Sequence, residues 1–546
     1  MVTTLSNNSD LFAEFHLPEQ NLKKLSFCSH KPKPFHDWLE SLPLTQINHV
    51  SVVFYKLLPE INHLNINADQ RLTLLNDLRP HIHLCIEGLA NDFLKQSLNM
   101  TDNMTKIAAV AQALQRHLCD GYMLAIKALL QTTKRSTSDD AALSQATYYA
   151  IHGLGQLLYR CYQLYIPRPP AIWRKLNQLQ QIAIDHQFNQ LQIHDNLLVS
   201  RTSLSCEHAY TRLLVLACSN TNQLRQVDIL HLYNALEQWS SMTSSPPITE
   251  DEHSIYWIDK ASDNGPFYKT RYKGDSRDSL YTVNLQPLID LLDTHQSQSE
   301  NSNITEIPVQ FRQSLIAHLL ACWQEKQERR QPRRQSNIEL EVCIGLKAAH
   351  QQLLQGRSFD EFLGKSNSPN IPTGFNRPTT ESINYEDSSN GHFEDGTRAN
   401  SIQVTATDIS DDGYCLRWER DIPPQIKSGE MVLLRKQDCD RWYVGTIRWA
   451  QRLNRNTYVG VQILPGYAEA SAASTTLDNG TTTPFFRTVI LRGDNNASGD
   501  SLLTPAIPFA LQQNIELHAN DHCDKAKLTH LWLNSGTVSQ YSYRSL

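Results

Sequence analysis

Apolar residues in the first half of the chain recur three or four positions apart, which is the spacing of an amphipathic helix. Residues Ile107 to Leu118 show this pattern, and the stretches 146–164 and 229–239 repeat it. Short polar or proline-containing breaks separate these stretches. We therefore predict a domain of antiparallel helical hairpins over residues 37–242.

The pattern changes between residues 243 and 292, where 254–258 and 280–283 are rich in β-branched and aromatic residues. This composition predicts a small β element. From about 308 to 328 the apolar residues return to a spacing of four, as from Phe311 to Trp323, and predict a further helix.

Short segments typical of β-strands dominate the second half, and most are bounded by Gly, Asp or Asn. They are 338–344, 402–407, 414–419, 431–435, 442–449 and 457–464. Several strands at this spacing predict a barrel or a sandwich. The polar stretch from about 364 to 400 predicts a disordered insertion, and the apolar runs 485–491 and 531–533 predict a small C-terminal β unit.

These elements predict a multidomain α+β chain, because its 546 residues exceed what one hydrophobic core usually organises. A helical N-terminal array precedes an antiparallel β-barrel and a small C-terminal β unit. The predicted divisions are an N-terminal segment (1–36), the helical domain (37–242), a β element with its connecting helix (243–324), the barrel (325–465) and the C-terminal unit (466–546).

Composition excludes several classes of protein. A net charge of -6 argues against binding of a polyanion by the whole molecule, so any anion site must be local. The eleven cysteines contain no C-x-x-C pair, which favours a reducing compartment. The first residues lack the pattern of a signal peptide, and the apolar runs are too short to cross a bilayer. We therefore expect a cytoplasmic protein without a membrane span.

Four arginines lie within six residues at the junction between a predicted helix and a predicted strand: Arg329, Arg330, Arg333 and Arg334. A guanidinium can hold a phosphate, or the O6 and N7 atoms of guanine, through two parallel hydrogen bonds. Pro332 interrupts the helix, so the four side chains should spread apart. The alternative is that the arginines are solvated at a helix end, where their positive charges interact favourably with the helix dipole.

A second cluster, Asp408, Ser410 and Gly413, links two predicted strands. Asp408 and Ser410 lie two positions apart, so an extended backbone directs both side chains to one face, while Gly413 can adopt a positive φ. A carboxylate can accept hydrogen bonds from guanine, and a hydroxyl can donate one to phosphate. The alternative is an ordinary hairpin turn, in which these residue types are common.

Together the two clusters resemble the PilZ domain family, whose signature is Arg-x-x-x-Arg followed by Asp/Asn-x-Ser-x-x-Gly. The first motif is matched by Arg330 with Arg334, and in an adjacent register by Arg329 with Arg333. The second is matched by Asp408, Ser410 and Gly413. The resemblance covers about residues 325–465, although the insertion separates the two motifs further than is usual in the family.

The resemblance implies a receptor that binds cyclic di-GMP, as one molecule or a stacked pair. The remaining regions are similar to large PilZ-containing cyclic di-GMP-binding proteins of gammaproteobacteria. Our hypothesis is that ligand binding changes the domain arrangement or the binding of a protein partner by the helical region. The expected partners belong to motility, pilus or envelope machinery.

No enzymatic motif is evident. The sequence lacks a phosphate-binding G-x-x-x-x-G-K-[ST] loop, a G-x-S-x-G elbow and an H-E-x-x-H pair, as well as the motifs of enzymes that make or degrade cyclic di-GMP. Isolated histidines such as His81 and His518 are more often surface or core groups than metal ligands, so no metal or other cofactor is expected. A non-enzymatic interaction scaffold is the main alternative, and an RNA-binding barrel is a weaker one.

Overall fold

The structure is a computed structural model in which the chain forms two compact units. The helical unit comprises Met1–Gln96 and Met100–Glu328, and the barrel unit comprises Ser97–Asn99 and Arg329–Leu546. The residues that the structure describes are 12, 15–94, 98, 100–249, 254–297, 307–324, 332–364, 401–419, 422–437, 439–477, 480–493 and 499–546.

The helical unit contains the predicted array of helices. They are α1 (Pro32–Glu40), α2 (Ile47–His63), α3 (Ala68–Phe93), α4 (Asp102–Gln131), α5 (Thr137–Gln163), α6 (Ile172–Asp185), α7 (Cys206–Cys218) and α8 (Gln226–Trp239). Side chains at Asn67, Thr101 and Ser136 cap α3, α4 and α5 by accepting hydrogen bonds from backbone N–H groups of the first turn. A two-stranded hairpin, β1 (Ile193–His194) and β2 (Ser203–Leu204), lies between α6 and α7.

The predicted β element packs within the helical unit. It is a sheet of three strands in the order β4-β3-β5, formed by β3 (Tyr256–Asp259), β4 (Phe267–Tyr268) and β5 (Leu280–Thr282). The Tyr256 hydroxyl lies 3.0 Å from the carbonyl of Cys218 and 3.1 Å from that of Cys322. Two helices follow, α9 (Gln286–Ser297) and α10 (Gln313–Gln324). The second begins later than the predicted residue 308 because residues 308–312 form a turn, and the predicted end at 325–328 lies outside the described residues.

The barrel unit contains eleven described strands, all paired antiparallel. They are β6 (Arg334–Ile344), β7 (Ile402–Ser410), β8 (Gly413–Trp418), β9 (Met431–Lys436), β10 (Tyr443–Leu453), β11 (Asn456–Thr475), β12 (Phe486–Arg492), β13 (Ser501–Pro505), β14 (Asn514–Ala519), β15 (His522–Asn534) and β16 (Val538–Ser545). Two short helices, α11 (Leu346–Leu353) and α12 (Phe359–Phe362), follow β6. The predicted disordered insertion at 364–400 lies, apart from its first residue, outside the described residues.

These strands close two six-stranded barrels that share β11. The first ring runs β6-β7-β8-β11-β10-β9, and the second runs β11-β12-β13-β16-β15-β14. Fully buried Leu416 and Val459 fill the first barrel, and Leu502 and Leu528 fill the second. The C-terminal β unit is therefore a closed barrel, and the expected division at 465/466 lies inside β11.

Candidate functional site

The hairpin between β7 and β8 carries the Asp-x-Ser-x-x-Gly motif. Ser410 pairs with Gly413 across a loop of two residues, and the Ser410 hydroxyl donates a hydrogen bond of 3.3 Å to the Gly413 carbonyl. Gly413 does not use the positive φ that a glycine can adopt, because it has ordinary strand geometry. Glycine is required for space: a Cβ there would lie 2.2 Å from the carbonyl oxygen of Val461.

A β-bulge at Thr407 directs Asp408 to the outside of the barrel. Ala406 pairs with Leu416, whose side chain is fully buried in the interior. The register then shifts by one residue, so that Asp408 pairs with Cys415. Cys415 lies on the opposite face of the strand from Leu416, and Asp408 shares the face of its partner Cys415. Asp408 therefore lies on the outer surface. Bulges are frequent at sites where a side chain must be redirected.

A second bulge, at Arg448, does the same for Trp449. Ile447 pairs with Val461, and both side chains are buried in the barrel. After the shift, Trp449 pairs with Gly460, and its indole lies directly over this glycine, since a Cβ there would fall 1.9 Å from the indole Nε1. Trp449 therefore shares the outer face with Asp408. The sequence analysis missed Trp449, and the available signal was a glycine inside a strand, which often marks close approach.

The arginine segment meets this face at the start of β6. The backbone of Arg334 pairs with Ile409, and Arg334 itself is exposed. The Arg333 guanidinium lies 3.9 Å from the Asp408 carboxylate, and its Cζ lies 5.9 Å from the centre of the Trp449 ring. The structure therefore brings Arg333 together with Asp408.

Two of the predicted site residues, Arg329 and Arg330, lie outside the described residues. Each belongs to one of the two motif registers, Arg329 with Arg333 and Arg330 with Arg334. The described member of the first register is the one whose guanidinium approaches Asp408.

The Arg333–Asp408 pair is loose and open to water. Its separation of 3.9 Å exceeds hydrogen-bond length, and the two side chains are 32% and 35% exposed. Ion pairs of this kind contribute about 0–1 kcal/mol to stability. Both charged groups can therefore exchange this contact for a ligand at low cost.

The centre of the outer face is formed by residues with small side chains. Gly413, Cys415 and Gly460 lie on adjacent strands, with Cys415 paired to Gly460 and Asp408. Burial raises the pKa of the Cys415 thiol, so the thiol is neutral and forms part of an apolar floor. Trp449 covers Gly460 on one side of this floor, and Asp408 pairs with Cys415 on the other.

No three His, Cys, Asp or Glu side chains among the residues that the structure describes form a group that could hold a metal ion. Among the same residues, no helix combines the length and the apolar character that a membrane-spanning segment needs.

Three family models match the chain in succession. They are "Cyclic-di-GMP receptor FimW, N-terminal domain" over residues 33–246, "Cyclic-di-GMP receptor FimW, middle PilZ domain" over 255–396 and 372–469, and "FimW C-terminal beta-barrel domain" over 471–546. The sequence is also 28% identical over 576 aligned positions to the Cyclic-di-GMP receptor FimW of Pseudomonas aeruginosa, covering 98% of this chain and 94% of that protein. This chain belongs to the FimW family. Membership confirms the resemblance to PilZ domains, and also the similarity of the helical and C-terminal regions to large PilZ-containing proteins.

The divisions of the FimW family models differ from the structural units at two places. The middle-domain match begins at residue 255, whereas the sheet β4-β3-β5 packs in the helical unit. The junction between the middle and C-terminal matches, at 469–471, lies within the continuous strand β11.

Proposed function

We propose that this chain is a non-catalytic receptor that binds cyclic di-GMP on the outer face of the first barrel. The binding surface comprises Arg333, Asp408, Ser410, Gly413 and Trp449. The observation that supports it is the convergence of Arg333 and Asp408, which are 75 residues apart in sequence and 3.9 Å apart in space. Membership of the FimW receptor family supports the identity of the ligand.

The polar groups of this face complement those of a guanine dinucleotide. The Arg333 guanidinium can donate two parallel hydrogen bonds to a phosphate or to the O6 and N7 atoms of guanine. The Asp408 carboxylate can accept the N1 and N2 protons of guanine. The Ser410 hydroxyl can turn from the Gly413 carbonyl, which it meets at a long 3.3 Å, and donate to a phosphate oxygen.

Trp449 adds an aromatic surface to this set. Its indole is fixed across Gly460 and close to Arg333, so a guanine that enters between them meets a ring and a guanidinium. Stacking of a base on an aromatic side chain is worth about 1–3 kcal/mol. We therefore assign Trp449 a stacking role.

The geometry favours Arg329 with Arg333 as the first ligand-binding pair. Arg333 already lies beside Asp408, while the backbone of Arg334 pairs with Ile409. Arg330 and Arg334 would then contact a second ligand molecule or the outer phosphate. This assignment allows either a single molecule or a stacked pair.

Binding acts as the cytoplasmic signal when the ligand bridges the arginine segment and the barrel. This segment connects the helical unit to β6 in sequence, so a ligand that binds one domain arrangement more tightly than another changes that arrangement or the binding of a protein partner. The partner would belong to motility, pilus or envelope machinery.

Isothermal titration of cyclic di-GMP into the full chain tests the proposal, with GTP as a control ligand. We expect micromolar or tighter binding of cyclic di-GMP and none of GTP. The double variant Arg329→Ala/Arg333→Ala should lose more affinity than Arg330→Ala/Arg334→Ala. Absence of binding to the folded wild type would instead support an interaction scaffold with a PilZ-like barrel.

A further inference from the structure

The strand β11 is a wall of both barrels. Its first part, Asn456–Gln462, pairs with β10 on one side and, from Thr457, with β8 on the other. Its second part pairs with β12 from Tyr467 to Ala473 and with β14 from Ala472 to Thr475. The strand spans all twenty residues, with a shift of register against β10 between Ile463 and Tyr467. Successive parts of one strand therefore connect the two barrels covalently.

A buried histidine on α11 makes a second connection. The side chain of His350 is fully buried, and its Nε2 lies 2.9 Å from the carbonyl of Ser471 on β11. Burial lowers the pKa of His350 to about 4, so the ring is neutral and Nε2 donates. The rings of Phe359 and Phe362 meet the imidazole edge-on at 5.4 and 5.7 Å. Because α11 begins directly after β6, it joins the strand of the arginine motif to the shared wall.

The hydrophobic core also crosses the junction. A single cluster of buried side chains includes residues of the first barrel, of α11, of β11 and of the second barrel. Its members are Cys343, Ala349, Met431, Leu433, Trp442, Val444, Leu464, Ala468, Val489, Leu491, Leu503 and Val538. A backbone hydrogen bond of 2.8 Å from Ala468 to Trp442 lies beside it. The two barrels thus share a strand and a core.

The proposed ligand site rests on the same strand. Gly413 packs against the backbone of Val461, and Trp449 lies across Gly460. Both contacted residues belong to β11. Groups that hold the ligand are therefore supported by the first-barrel part of the strand that continues into the second barrel.

We propose that the two barrels open as one cooperative unit, so that cyclic di-GMP on the first barrel stabilises the C-terminal barrel as well. The ligand part rests on the proposed function. A ligand that binds only the folded state stabilises every element that must unfold to release it. Contiguous elements that open together show equal protection from hydrogen exchange. The C-terminal barrel then reports ligand occupancy to whatever contacts it.

Hydrogen exchange of the full chain, followed by mass spectrometry, tests the ligand part. With cyclic di-GMP at about 100 times its dissociation constant, exchange of the slowest amides should fall about 100-fold. We expect this fall in peptides of β8 and β10 and equally in peptides of β13 and β16. Protection confined to the first barrel would overturn the proposal.

A ligand-free experiment separates the coupling from the binding. Leu502 is fully buried in the second barrel, so Leu502→Ala should accelerate the slowest amides of both barrels by the same factor, about 100-fold. Leu416→Ala, in the first barrel, should likewise accelerate the slowest amides of both barrels by the same factor. Acceleration limited to the mutated barrel would overturn the coupling whatever the ligand does.

Two further variants serve as a milder substitution and as a control. If Leu502→Ala does not fold, Ile490→Val removes a single buried carbon and should accelerate both barrels equally by about fivefold. Leu511→Ala changes a half-exposed side chain and should leave both barrels unaffected. Equal acceleration of both barrels together with no ligand protection would support the coupling and reject the proposed ligand.

Discussion

Two arginine–carboxylate pairs, one in each unit, show how environment separates structure from binding. In the helical unit, Arg79 meets Asp195 through two hydrogen bonds of 2.7 Å, with the side chains 9% and 0% exposed. In the barrel unit, Arg333 and Asp408 stand 3.9 Å apart and are about one third exposed. Both pairs join an arginine to an aspartate, but the charged groups are hydrogen-bonded to each other only in the buried pair.

The buried pair has little bonding capacity left for a ligand. Asp195 also accepts hydrogen bonds from the Tyr148 hydroxyl and from the backbone of Leu197, and Arg79 lies over the ring of Tyr149. The exposed pair has no such partners among the described residues apart from the distant Trp449 ring. A charged cluster is therefore a better candidate for ligand binding when its groups are loosely paired than when they are fully hydrogen-bonded.

The largest expected effect follows from breaking the buried pair. Asp195→Ala leaves Arg79 buried without its partner, which should cost about 3–5 kcal/mol. Urea unfolding of the full chain, followed by helical circular dichroism, measures this loss. The affinity for cyclic di-GMP should stay unchanged in the variant that remains folded. A loss below 1 kcal/mol would show that the pair is not the structural element described above.

The next effect is a pH dependence in the barrel unit. Burial lowers the pKa of His350 from 6.5 to about 4, which corresponds to about 3 kcal/mol. The unfolded chain then binds the proton more readily, so this stability is complete above pH 6.5 and is lost as the pH falls towards 4. Unfolding of wild type and His350→Gln across this window measures it. Identical pH slopes for the two proteins would contradict the assignment.

A smaller effect concerns the space at the hairpin. Gly413→Ala places a Cβ 2.2 Å from a backbone carbonyl oxygen, so it should lower the free energy of unfolding by about 1–3 kcal/mol. It should also lower the affinity for the ligand. Gly499→Ala is the matched control, since no atom lies within 4 Å of the added carbon. Thermal unfolding and titration of both variants measure the difference. Equal stability of the two would mean that β8 can move away from β11 without loss.

The smallest effect is the coupling of the exposed pair. A double-mutant cycle of Arg333→Ala and Asp408→Ala, without ligand, should give about 0–1 kcal/mol. The cycle is measured by chemical unfolding of the barrel unit within the full chain. A coupling above 2 kcal/mol would make this pair structural and remove its contrast with Arg79 and Asp195.

Local patterns in the sequence predicted much of this molecule. The helices follow from apolar spacing, because each covers its own buried stripe, as Leu315, Leu319 and Trp323 do in α10. The motif residues Asp408 and Ser410 were identified for a similar reason, since two-residue spacing sets the face of a strand. The proximity of Arg333 to Asp408 was expected only from the resemblance to the PilZ family.

Features that depend on distant pairing could not be predicted in this way. The bulges at Thr407 and Arg448 arise from register against neighbouring strands, so the outward position of Trp449 was missed. Pro465 and Gly466 are typical of a turn, yet they lie within β11, where the register against β10 shifts. The shared strand, and hence the second barrel, therefore became evident only from the structure.

The most direct test of the central claim compares two arginines by titration with cyclic di-GMP. Arg333 belongs to the proposed site, and Arg357 forms a similar exposed pair with Asp521 at 3.3 Å elsewhere in the barrel unit. The variant Arg333→Ala loses a charge-assisted contact, so its affinity for cyclic di-GMP should fall about 10- to 150-fold. The variant Arg357→Ala should bind with the affinity of the wild type. Wild-type affinity in both variants would contradict the proposed site.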